Sequence, residues 1–187
     1  MFKRVMGLAA AIALTVPMFV VTSGSAGAVA ATPTCTTAAG TATFKPALPD
    51  LTSKKKVKSK LSAAGKISGC AGGGVKTGTI TFTETSVPTA ANCATLAKPD
   101  PKSKGTIGKL VIKWNNGKTS TAGSFTIKQT KAVVDATTTG KITAGLFKGK
   151  TIKGTTTYTL PKNACSKGHP LSKVTYKNKK GTKFVIK

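Results

Sequence analysis

Four cysteines, one histidine and four carboxylates are the residues of this 187-residue chain that could do covalent, metal or acid–base chemistry. Cys35, Cys70, Cys93 and Cys165 form an even set. In an exported chain such a set favours two disulfides, each contributing roughly 2 to 4 kcal/mol by restricting the unfolded state. Three pairings are open to four cysteines. Cys35 with Cys70 and Cys93 with Cys165 is the preferred arrangement, because the first bond would pin the N-terminal arm to the body. Zinc is the competing chemistry, but no two cysteines stand at C-x-x-C spacing and His169 is the one histidine, so no metal and no cofactor are expected.

Acid–base catalysis has few candidates. Asp50 and Asp100 follow prolines in turn sequences, where a carboxylate commonly caps its own backbone. Glu84 and Asp135 fall in different strand-like runs. Asp135, His169 and a serine could be drawn as a triad, but no G-x-S-x-G accompanies them, and His169 beside Pro170 reads as a loop residue. Catalysis is not expected, and a secreted hydrolase stands as the third reading.

Lysine is the residue in excess. Lys and Arg total 30 against 4 acids, a net charge of +26. Residues 1–30 read as a secretory signal: Lys3 and Arg4 precede the apolar run from Gly7, and Ala28-Val29-Ala30 has the small-residue spacing of a cleavage site. The apolar run is broken by Pro17 and lacks a basic stop-transfer flank, so no transmembrane segment is expected after cleavage. A chain beginning at Ala31 would have 187 less 30, or 157 residues, and 26 less the charges of Lys3 and Arg4, or +24. That length suits one domain, residues 31–187.

The expected mature chain has no arginine for bidentate reading of phosphate or guanine and few aromatic platforms, so sequence-specific nucleic-acid binding is not expected. Diffuse lysines suit a diffuse polymer charge: anionic envelope glycopolymers or phospholipid headgroups. The candidate contacts are Lys54, Lys55, Lys56, Lys58 and Lys60, then Lys148, Lys150 and Lys153, then Lys177, Lys179 and Lys180. A solvated face kept basic for solubility is the bland alternative.

The elements that must position these residues are strands. In TGTITFTET (77–85) Ile80 and Phe82 share one face and threonines the other; in TIGKLVIKW (106–114) Leu110, Ile112 and Trp114 share a face. Asn116-Gly117 then predicts a hairpin into SFTIK, with Phe125 and Ile127 inward. TIKGTTTYTL lines up Ile152, Thr156, Tyr158 and Leu160; KVTYK and TKFVIK place Val174, Tyr176, Phe184 and Ile186. With AVVDA and GKITAGLF, about eight to ten short strands predict an all-β antiparallel sandwich or barrel. TAGSF (121–125) recurs as TAGLF (143–147), each expected to open a strand with a bulge glycine. TSKKKVKSK (52–60) continues as VKSKLSAAGKISGC, in which Val57, Ser59 and Leu61 share a parity opposite Lys58 and Lys60, and the stretch reads as a charged edge strand. The Thr-x-Thr runs could bind ice or carbohydrate, but without a regular repeat they read as the wet faces of strands. Trp114 reads as core rather than as a sugar platform.

The leader, the four cysteines, CAGGG (70–74), ANC (91–93), IKWNNG and TAGLFKG together resemble small secreted β-rich proteins of actinobacteria with no established function. The resemblance implies an exported bacterial context and carries over no catalytic or binding residue. The expectation is a secreted or cell-surface, disulfide-stapled all-β protein that docks on anionic polymer. A β-barrel carrier of a small apolar ligand is the runner-up.

Overall fold

The computed structural model describes residues 31–86, 90–98, 106–131 and 135–187. The expected leader, residues 1–30, lies outside them, as do Asp100, residues 132–134 of AVVDA and the side chain of Glu84. Ten strands and one short helix make up the described fold: β1 (Thr34–Leu48), β2 (Lys60–Ala71), β3 (Gly78–Ser86), α1 (Cys93–Ala97), β4 (Thr106–Trp114), β5 (Thr119–Lys131), β6 (Asp135–Lys141), β7 (Ala144–Gly145), β8 (Thr151–Thr159), β9 (Leu171–Asn178) and β10 (Phe184–Ile186).

Period-two patterning gives each strand one apolar face, and closure of the sheet turns those faces inward. Ile80, Phe82, Leu110, Ile112, Phe125 and Ile152 are buried, while Thr79 and Thr81 on the opposite parity are exposed. Strands β1 to β6 pair antiparallel in order, β6 pairs with β8, β8 with β9, and β9 with β1. The result is a closed eight-strand barrel with β7 and β10 as accessory strands. The β1–β9 ladder decides between barrel and sandwich, since it leaves the main sheet without an edge.

Three local devices shape the wall. At the hairpin, Gly117 takes φ 78°, its N–H donates to the Trp114 carbonyl, and Trp114 N–H donates to the Lys118 carbonyl. In β5, Gly108 opposes Phe125 and Leu110 opposes Ala122, so three steps on β5 match two on β4 and the extra residue bulges at Gly123. The third device is an interrupted strand. Cys35 of β1 opposes Phe184 of β10, and Ala39 opposes Lys177 of β9. Both β9 and β10 also pair with β8, so they occupy the same seam in the same direction, and residues 179–183 loop out between them.

Both disulfides form in the preferred pairing. Cys35 and Cys70 are direct cross-strand partners of β1 and β2, and Cys93 of α1 joins Cys165 of the loop before β9.

Two expectations need correction. TSKKKVKSK is not an edge strand: its one ladder contact before Lys60 is the isolated bridge Val57↔Ala91, and β2 lies between β1 and β3. The predicted parity does hold, with Ser59 and Leu61 buried and Lys58 and Lys60 exposed. Alternation reports which side chains face inward, and it is silent on whether a neighbour strand is present. GKITAGLF is not a single strand either. It ends β6 at Lys141, buries Ile142, and continues as the two-residue β7 before a turn. Gly145 there makes no bulge; it closes against Ser120 of β5.

Candidate functional site: an apolar cavity and two lysine surfaces

The antiparallel order gives the barrel two ends. One end carries the end of β4, the start of β5 and the start of β8; the other carries the end of β1, the start of β2, the end of β5 and α1.

The first end is plugged. Trp114 is buried, its Nε1–H donates to Ser120 Oγ at 2.8 Å, and Ser120 Oγ–H donates to the Leu146 carbonyl at 2.6 Å. Phe147 packs edge-on against Trp114, with ring centroids 5.8 Å apart. Gly72, Gly73 and Gly74 of CAGGG all take positive φ in the turn between β2 and β3, and a Cβ on Gly73 would fall 2.7 Å from the Phe147 ring. Trp114 is therefore a core residue with a satisfied indole.

The middle of the barrel is filled by Tyr176. Gly40 opposes both Gly65 and Tyr176 across adjacent strands, and a Cβ on Gly40 would lie 2.6 Å from the Tyr176 hydroxyl. The ring thus occupies space that two missing side chains leave. Its hydroxyl is buried and has no hydrogen-bond partner among the described residues, and burial raises its pKa above the usual phenol range. Tyr158 lies beside it, ring centroids 6.2 Å apart, and burial raises that pKa as well.

Above Tyr176, at the α1 end, a cavity of about 110 Å³ remains. Nine of its eleven lining residues are apolar, Phe44, Leu61, Leu96, Leu160, Leu171 and Val174 among them. The two polar ones are Gln129, whose Nε2 donates to the Leu96 carbonyl at 2.8 Å, and Tyr158. α1 roofs this end. Asn92 caps it reciprocally with Thr95 and donates from Nδ2 to the Ser53 carbonyl, Cys93 N–H donates to the Pro49 carbonyl, and Cys93–Cys165 ties the roof to the loop before β9. The roof was not foreseen. Asn92, a favoured N-cap residue directly before Cys93, carried the one sequence signal for its start.

The eleven candidate lysines separate into two groups. Lys54, Lys55, Lys56 and Lys58 are exposed on the segment held beneath α1 by the Asn92–Ser53 hydrogen bond and the Val57 bridge, and Lys60 starts β2 directly opposite Lys45. The other six share the wall of β8, β9 and β10. Lys148 and Lys150 precede β8, Lys153 opposes Val185, Lys177 opposes Thr157, and Lys179 and Lys180 stand in the inserted loop. Lys179 Nζ lies 2.8 Å from Asp135 Oδ2, and its charge is compensated there.

The carboxylates of the drawn catalytic sets are committed elsewhere. Asp135 accepts from Thr157 Oγ1 as well as Lys179. Asp50 accepts from the Thr52 hydroxyl, the Gly168 N–H and the N–H groups of Thr52 and Ser53, and these bonds hold its pKa below the ordinary carboxylate value, the Thr52 hydroxyl contributing most. His169 is exposed in the loop before β9. Among the described residues no three His, Cys, Asp or Glu side chains cluster as a metal site, and no helix is long and apolar enough to cross a membrane. No protein family matches the chain, and no curated protein or solved structure is significantly similar to it.

Proposed function

We propose that the protein is exported and acts without catalysis, docking on anionic envelope glycopolymer or phospholipid headgroups through its lysine surfaces. The observation that carries this reading is the inserted loop of the β9–β10 seam. The strand seam is opened by a loop that displays Lys180 and Lys183 on a wall that already bears Lys153 and Lys177. The insertion adds like charge to like charge, which costs stability through self-repulsion unless a counter-charge arrives. Binding of this kind releases counterions and weakens steeply as salt rises.

Co-sedimentation with purified cell envelope across a salt series, with anionic glycopolymers stripped from half the samples, tests the reading. Binding should fall with salt and vanish on stripping. A Lys153, Lys177 and Lys180 to glutamine variant should lose more binding than Lys179→Gln, whose lysine is already neutralised by Asp135. Retention that ignores salt, or no retention at low salt, would assign the lysines to solubility.

A further inference from the structure

We propose that the α1 end of the barrel binds a small uncharged apolar molecule, about one aromatic ring in size, in the cavity above Tyr176. This activity does not rest on the lysine surfaces, and no lysine takes part in it.

The case for a site comes from how the rest of the interior is filled. At the level of Tyr176 the strands carry Gly40 and Gly65, and the phenol ring takes up the volume that their missing side chains leave. One level nearer α1 the inward residues are again small: Ala42 pairs with Ala63 on β2, and Ala136 faces in from β6. Among the described residues no large side chain crosses this level, and a cavity of about 110 Å³ remains. Its rim is accessible. Phe44, Leu96, Tyr158 and Leu160 pack against the core and are only partly buried, unlike Trp114 and Phe125. Large apolar side chains left half-exposed around a concavity cost free energy that an apolar occupant recovers. The interior of an eight-stranded barrel is just wide enough for side chains to fill or for one small ligand to occupy. This barrel does the first at Trp114 and Tyr176 and leaves room for the second beneath α1.

The lining sets the size and charge of the occupant. An engineered apolar cavity of about 150 Å³ takes up benzene, so 110 Å³ with a partly exposed rim matches one ring or a short branched hydrocarbon. Nine of the eleven lining residues are apolar, and no Lys, Asp, Glu or His is among them. Of the polar two, Gln129 holds the roof through its hydrogen bond to the Leu96 carbonyl, and the Tyr158 phenol stays neutral because burial raises its pKa. Lysines of the same strands supply no counter-charge inside. Strand alternation turns Lys128, between Ile127 and Gln129, and Lys173, before Val174, toward solvent. An ion placed in the cavity would lose its hydration with nothing to replace it, and that cost selects uncharged ligands.

The test is titration of the purified protein with benzene, toluene and ethylbenzene, beside benzoate and benzylammonium as charged matches and biphenyl as an oversized one, with methyl NMR to locate the ligand. The expected result is saturable one-to-one binding of the uncharged single rings, with a dissociation constant on the order of 1 mM. Ring-current shifts should fall on Leu96, Leu171 and Val174 and spare Ile112, which lies beside Trp114 in β4. Benzoate and benzylammonium should bind at least about a hundredfold more weakly, and biphenyl no more tightly than ethylbenzene. Ala136→Leu adds carbons within the cavity and should abolish binding; should it not fold, Ala42→Val replaces it and should weaken binding at least about tenfold. The Lys153, Lys177 and Lys180 to glutamine variant should bind these ligands as the unaltered protein does, which separates this site from the lysine reading. No saturable binding, equal affinity for the charged analogues, affinity that keeps rising to biphenyl, or shifts centred away from the cavity would overturn the proposal.

Discussion

At the Trp114 end the barrel interior is filled and its polar groups are satisfied by Ser120 and the Leu146 carbonyl, whereas at the α1 end a helical turn roofs an open apolar space and depends on a crosslink. Both ends are made from the same alternating strands, so the difference lies in the connections between them. Turns rich in positive-φ glycine fold back and seal the first end; longer connections, threaded with lysine, cross the second. Tight turns remove space, and long connections can enclose it only if something anchors them. Cys93–Cys165, with a sequence separation of 72, is that anchor.

The largest effect should come from the plugged end. Trp114→Ala removes a buried indole and strips Phe147 of its partner, and we expect a loss of about 5 kcal/mol in urea unfolding. A loss under about 2 kcal/mol would mean that this end is less well packed than its contacts indicate. Next comes the roof. Replacing Cys93 and Cys165 by serine should cost about 4 kcal/mol by chain entropy, lowering Tm by about 10 °C for a domain of this size. Hydrogen exchange should show α1 and the loop before β9 opening before Trp114 is exposed. Simultaneous opening of both ends would erase the contrast between them.

The middle of the barrel supplies the intermediate effects. Gly65→Ala would drive a Cβ into the Tyr176 hydroxyl and the Ala39 carbonyl, and should cost about 2 kcal/mol in the same unfolding assay. Tyr176→Phe should shift stability by less than about 1 kcal/mol, toward greater stability, because the hydroxyl it removes is buried without a partner. A clear destabilisation would show that the hydroxyl is bonded in solution. The smallest effect is local to the roof. Asp50 has a folded-state pKa below its unfolded value, so its bonds to Thr52 and Gly168 are in place above the unfolded carboxylate pKa and are lost as pH falls through the folded one. Exchange protection at the Gly168 N–H should drop on acidification below about pH 4 while Trp114 fluorescence holds steady.

Much of the wall was legible because period-two alternation is a local property. Leu110, Ile112 and Trp114, Phe125 and Ile127, Val174 and Tyr176 all face inward as their parity requires. The Asn116-Gly117 hairpin and the bulge at Gly123 were equally local. The edge-strand reading of TSKKKVKSK failed because an edge is defined by the absence of a neighbour, and neighbours come from elsewhere in the chain. The cavity was illegible for the same reason. Ala42, Ala136 and Leu171 line it from strands β1, β6 and β9, and no spacing within one segment records that their side chains leave a gap.

The sequence by itself determined most of the strands, β1 and the short β7 excepted, with their inward faces, the hairpin glycine and the large positive charge, since each depends on the type and order of adjacent residues. Tertiary structure alone decided that β9 meets β1 to close the barrel, that β9 and β10 share one seam, and that an apolar cavity remains at the α1 end. These depend on pairings between residues far apart in the chain, where ladder hydrogen bonds and the shape of the enclosed volume, rather than local preference, choose the partner.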